Sequence, residues 1–174
     1  FRESEGPLFF ELADLLLRQA KSATDSKREQ DLLLEARDTV EHLKTVELED
    51  YFCDECVDVQ RVRTRAVETV DEHSAVIYLI PLHTRTEVLI GLTSGLKRFT
   101  VDVGANALTE EVRKFRQNLE RRTTYGYLEQ AQQLYDWLIR PIRGLLAENQ
   151  INTLVFVPDG ALRTIPFATL HDGE

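Results

Sequence analysis

Apolar positions recur along the chain with two different periods, and the change from one to the other divides it. Leu8, Leu12, Leu15, Leu16 and Gln19 fall at helical spacing behind Pro7. Proline is tolerated in a first helical turn, so residues 7 to 23 read as an amphipathic helix. Ser26-Lys27-Arg28-Glu29 has the form of a capping box, and Leu33, Ala36, Val40 and Leu43 then make one apolar stripe. Two such helices with a short break predict an antiparallel hairpin. From residue 75 the period shortens. Residues 75 to 82, 86 to 93 and 96 to 103 are rich in β-branched and apolar side chains, separated by a turn containing Pro81 and by Ser94-Gly95, and they predict a three-stranded antiparallel meander. Val88, Ile90 and Leu92 share a face, as do Phe99, Val101 and Val103, leaving Lys97, Arg98 and Thr100 partly or wholly outward. The run Ala75 to Ile80 is apolar on both faces and is expected to be the most central strand.

Helical spacing then returns. Thr109 followed by Glu110 and Glu111 predicts a helix from 110 to about 122, with Val112, Phe115 and Leu119 as its buried stripe. From Tyr127 a longer helix places Leu128, Ala131, Leu134, Tyr135, Leu138, Ile142 and Leu145 at steps of three and four, and Pro141 should kink it. Asn149-Gln150 ends that helix. Thr153 to Val157 is a fully apolar strand leading into Pro158-Asp159-Gly160. The fold class expected is α+β. Residues 1–48 form the helical hairpin, 49–74 an acidic connector and 75–174 the sheet-bearing part.

Charge sharpens the division. The net charge is −9: residues 1 to 74 hold 19 acids against 10 bases, and residues 75 to 174 hold 11 of each. This balance opposes a dedicated nucleic-acid binder, which needs clustered cations, although Arg113, Lys114, Arg116, Arg121 and Arg122 gather on one predicted helix. A solvated helix face explains them, and an anionic partner is the other reading. Between Lys44 and Arg61 lie Glu47, Glu49, Asp50, Asp54, Glu55 and Asp58 with no base among them. They suit a connector anchored by Tyr51-Phe52, or a docking site for a basic partner. Arg61, Arg63 and Arg65 follow and answer those acids. No apolar run approaches the roughly 18 residues needed to span a bilayer. The chain starts at Phe1, holds no methionine and stops at Glu174 just after an apolar segment, so both ends read as cut from a longer protein.

Little catalytic chemistry is legible. Cys53 and Cys56 are the only cysteines, and His42, His73, His83 and His171 show no ligand spacing, so no closed zinc site is expected. Acids precede, separate and follow the cysteine pair, which would raise the thiol pKa and oppose redox chemistry. Pro158-Asp159-Gly160 stands where α/β folds place functional loops, and it is also an ordinary turn signal. His171-Asp172 reads as a polar turn rather than part of a dyad. There is no Gly-rich phosphate loop and no nucleophile elbow, and no cofactor or metal is called for.

Three stretches carry a resemblance. Leu134-Tyr-Asp-Trp-Leu-Ile-Arg-Pro-Ile142, Leu154-Val-Phe-Val-Pro-Asp-Gly160 and Ile165-Pro-Phe-Ala-Thr-Leu-His-Asp-Gly173 look like the opening of the CHAT domain, a caspase-like family associated with tetratricopeptide repeats. Val46 to Phe52 with Cys56-Val57, and Leu96 to Val101, resemble the stretch joining repeats to the CHAT domain in such proteins. Phe9, Leu12, Ala13 and Leu16, with Ala36 and Val40, loosely resemble one tetratricopeptide unit. The resemblance implies that residues 153–157 form the first strand of a caspase-like α/β sheet. It also implies a cysteine endopeptidase architecture whose catalytic His and Cys follow later strands. Neither motif matches a position here, so no catalytic, cofactor-binding or metal-binding residue is assigned in this chain. Expected partners are proteins docking on the helical region and, through an open sheet edge, a second copy; no nucleic acid or membrane is expected.

Overall fold

A computed structural model of the chain describes residues 6–51, 71–121 and 125–174. Helices α1 (Gly6–Ser22) and α2 (Ser26–Tyr51) form a hairpin. Strands β1 (Ser74–Pro81), β2 (Thr86–Leu92) and β3 (Gly95–Val101) follow, then helix α3 (Ala105–Glu120) and helix α4 (Leu128–Leu138). A 3-10 turn over Arg140–Ile142 leads into α5 (Arg143–Glu148), strand β4 (Thr153–Val157) and 3-10 turns over Gly160–Thr164 and Phe167–Thr169.

The four strands make one mixed sheet in the order β3-β2-β1-β4. Strands β1 and β2 pair antiparallel through Ile77 and Ile90, and β2 and β3 through Val88 and Phe99. β4 runs parallel to β1, with Ser74 opposite Thr153 and Ile77 opposite Phe156. A parallel neighbour requires a long crossover, and α3 to α5 supply it.

Each sheet face is covered. Alternation along β1 sends Ala75, Ile77 and Leu79 to one side, where they join Val88, Ile90 and Leu92 against Leu108, Val112 and Phe115 of α3 and Leu134 and Leu138 of α4. Val76, Tyr78 and Ile80 point the other way, with Leu89 and Leu96, against Ala13, Leu17, Leu33, Ala36 and Val40 of the hairpin. The hairpin is therefore one outer layer of a helix–sheet–helix arrangement. Being buried on both faces explains why β1 and β2 read as near-continuous apolar runs.

Several local expectations shift. The α2 stripe Leu33, Ala36, Val40 and Leu43 is buried as its spacing requires. The cap, however, is Asp25 rather than Ser26, because the Asp25 carboxylate accepts from the Arg28 amide at 3.1 Å and Ser26 is already helical. In α1 the buried residues are Gly6, Ala13, Leu16, Leu17 and Ala20, while Leu8, Leu12 and Leu15 lie outside. α3 begins a turn before Thr109, at Gly104-Ala105. The Ala105 amide donates to the Leu82 carbonyl at 2.8 Å, and a Cβ on Gly104 would stand 2.2 Å from the His83 carbonyl oxygen, so only glycine fits there. Pro141 sits in the 3-10 turn that breaks the long helix into α4 and α5. Lys97 and Thr100 are exposed and Arg98 is half-buried, partly or wholly outward as their alternation requires, although Arg98 and Thr100 also make the bonds described below.

Candidate functional site

The carboxyl ends of β1 and β4 lie side by side, since the two strands are parallel, and open sheets of this kind place functional loops there. β4 leads into Pro158-Asp159-Gly160. Asp159 has extended backbone and is fully buried (0 % exposed), and its Oδ1 accepts from the Gly160 amide at 2.5 Å. Gly160 takes φ +56°, a left-handed value that turns the chain into the 3-10 segment. Arg163, at the end of that segment, reaches back to Asp159 Oδ1 at 3.2 Å and donates through Nη1 to Glu47 Oε2 of α2 at 2.7 Å. Lys44 stands one turn earlier on α2. Its pKa is lowered, chiefly by burial, against the opposing pull of Glu41 and Asp159.

These four groups form a charge-balanced bridge between the last turns of the hairpin and the loop that closes β4. The turn reading of Pro158-Asp159-Gly160 is what the backbone shows, with a buried carboxylate as its organiser. Sequence reasoning treated Glu47 as one of the connector acids and did not single out Lys44 or Arg163. A signal was present: Glu47 follows Leu43 by four residues and so continues the stripe Leu33, Ala36, Val40, Leu43. A charge on a buried stripe needs a partner.

Beside this bridge, between α1, the end of β1, the start of α3 and the loop after β4, lies a cleft of about 390 Å³. Pro7, Phe10, Pro81, Leu82, Leu108 and Leu162 make it largely apolar, while His83, Thr109, Glu11 and Asp14 add polar groups. Asp14 is not free for a ligand, since Arg18 holds it at 2.7 Å and Arg85 at 2.5 Å. Arg85 also donates to Glu87 at 2.6 Å, and Glu87, 2 % exposed, accepts from the Thr100 hydroxyl at 2.9 Å with Arg98 Nε 4.0 Å away. Arg98 donates to the Leu17 carbonyl at 2.6 Å. Burial works against the Arg85 cation, but its bonds to Glu87 and Asp14 outweigh that and raise its pKa. Thr100 is exposed and Arg98 half-buried, partly or wholly outward as expected, and Glu87 and the Leu17 carbonyl supply them with partners.

The other singled-out residues are dispersed. Cys53, Cys56, the acids from Asp54 to Asp58, and Arg61, Arg63 and Arg65 lie outside the described residues. His42 meets the ring of Phe9 at 5.7 Å, His73 Nδ1 is 3.2 Å from the Gln150 carbonyl, and His171 Nδ1 accepts from the Gly173 amide at 2.9 Å. Asp172 has a lowered pKa because the Glu174 amide bonds it, and His171 Nδ1 is 4.0 Å from it: a turn, not a dyad. On α3, Arg113, Lys114 and Arg116 pair with Glu110, Glu111 and Glu120 of the same helix. Among the described residues no three His, Cys, Asp or Glu gather as metal ligands, and no helix is long and apolar enough to cross a membrane.

The fold and this loop define an α+β protein with a mixed four-stranded sheet and a buried-acid turn after its parallel edge strand. Residues 128–174, from α4 through the last 3-10 turn, match the family model of the CHAT domain. The C-terminal end of the chain, where the resemblance was most specific, is thus the part that the model covers. No curated protein and no solved structure matches the chain.

Proposed function

We propose that the chain is a non-catalytic N-terminal scaffold of a CHAT-family caspase-like cysteine peptidase, linking a helical, repeat-like protein-binding region to the protease. The observation that carries this reading is the Glu47–Arg163–Asp159 bridge, which ties the hairpin to the segment matching the CHAT domain. On this reading the hairpin (1–48) is a degenerate tetratricopeptide-like unit, 49–74 connects it, and 75–174 begins the CHAT domain. The meander β1–β3 then supports the first strand of the protease sheet. Further strands of that sheet, or a second copy, would add at the open edge of β4. The base and the nucleophile of the peptidase belong to later strands, so this chain hydrolyses no peptide.

The test has two parts. A peptide library incubated with the chain should remain intact; cleavage would sink the scaffold reading. Glu47→Ala should speed hydrogen exchange of the amides from Gly160 to Thr164 while leaving those of β2 protected. Unchanged exchange in that loop would remove the link between the hairpin and the CHAT segment. A catalytically decayed CHAT protein used only for interaction is the second reading. It is favoured by the apolar outer face of α1, which no catalytic role requires. A parent protein without a His-Gly and a Cys after successive later strands would establish that reading instead.

A further inference from the structure

α1 is apolar on two sides. Ala13, Leu16, Leu17 and Ala20 face inward and are buried, yet Leu8, Leu12 and Leu15, at steps of four and three, are 63, 47 and 53 % exposed. A helix apolar all round is normally sandwiched, and a contiguous exposed apolar stripe marks a docking surface.

The adjacent helix says what kind of partner fits. The ring of Phe9 meets His42 at 5.7 Å, which fixes the flank of α1 that leans toward α2. Helical periodicity places Leu8, Leu12 and Leu15 on the outer side of that flank. On α2, stepping back from His42 by four, three and four residues gives Asp38, Glu35 and Asp31, an exposed row along the same flank. Asp38 is held by Arg37 at 2.7 Å, whereas the carboxylates of Asp31 and Glu35 make no ion pair among the described residues. The outer groove of the hairpin therefore has an apolar wall on α1 and an acidic wall on α2.

We infer that this groove receives an amphipathic helix of a partner protein, with leucine-like residues against Leu8, Leu12 and Leu15 and Lys or Arg over Asp31 and Glu35. The inference rests on the reading of the hairpin as the protein-binding part and names the chemistry of its partner. A second copy is disfavoured, because the chain carries −9 and the bases of its outer helix α3, Arg113, Lys114 and Arg116, are already paired with Glu110, Glu111 and Glu120.

The probe is a synthetic helical peptide with leucines at steps of three and four flanked by lysines, and a twin in which glutamates replace the lysines. Fluorescence anisotropy at physiological salt should show the lysine peptide binding wild type at least about tenfold more tightly than the glutamate peptide. Leu12→Asp should weaken the lysine peptide by about tenfold or more, and Asp31→Lys with Glu35→Lys should reverse the preference. All three positions are exposed, so circular dichroism should show each variant folded as wild type. Equal binding of the two peptides, or no effect of Leu12→Asp, overturns the inference. So does a dimer in sedimentation that Leu12→Asp dissolves, which assigns the face to a second copy. None of these readouts uses the loop after β4 or peptide hydrolysis, so failure of docking and failure of the scaffold reading are seen separately.

Discussion

The two faces of the sheet are covered by different means. Under α3 to α5, Ile77, Leu79, Val88, Ile90, Phe115 and Leu134 form a cluster built from apolar side chains. Under the hairpin the apolar cluster is smaller, and it is bordered by Asp14, Arg85, Glu87, Arg98 and Thr100, with Gln30 bonded to both the amide and the carbonyl of Leu96 at 3.0 and 2.8 Å. Apolar packing is non-directional and accepts many positions of a helix over a sheet. Hydrogen bonds and ion pairs do not. The first face supplies cohesion, and the second fixes where the hairpin sits, which is what a layer needs if its far end must meet Arg163.

Breaking the apolar face should cost most. Phe115→Ala, at a fully buried position, is expected to lower stability by about 3–5 kcal/mol in denaturant titration, from lost burial plus the cavity left behind. On the hairpin face Glu87→Ala leaves Arg85 only Asp14 and Arg98 only the Leu17 carbonyl, and should cost about 3 kcal/mol. The comparison predicts a difference in kind as well. Glu87→Ala should speed exchange at the amides of α1, whereas Phe115→Ala should destabilise the whole without selecting the hairpin. Gln30→Ala removes two bonds to Leu96 and should cost about 1–2 kcal/mol.

The smallest effect is expected at Lys44. Burial lowers its pKa in the folded protein, so the unfolded chain binds more protons between the folded value and 10.5. Stability should therefore rise slightly with pH through that window. Lys44→Met should abolish the slope and leave the protein as stable or more so, by under about 1 kcal/mol after allowance for solvent screening. Denaturant midpoints of the two proteins at mildly and strongly alkaline pH check both the sign and the size.

Legibility in the sequence followed the same contrast. The α2 stripe and the strands were readable because each combines one period with one environment. α1 was harder, since its leucines surround the axis and spacing alone did not tell the buried side from the outer one. The outward side of Lys97, Arg98 and Thr100 was readable, but the bonds of Arg98 to the Leu17 carbonyl and of Thr100 to Glu87 were not, because only folding joins those partners. The turn at Asp159 was visible as a turn. Its bond to Arg163, and through it to Glu47, spans more of the chain than any local pattern reports.

The parallel pairing of β1 with β4 also sets an order in time. β1, β2 and β3 can pair as soon as Val101 has left the ribosome, but the strand that completes the sheet beside β1 begins only at Thr153, after three helices have been made. At synthesis rates of roughly 5–20 residues per second, one edge of β1 waits for seconds with its backbone groups unpaired. During that interval the hairpin, already synthesised, covers a face of β1 and not this edge, and a chaperone or a neighbouring nascent chain would find the edge before β4 does.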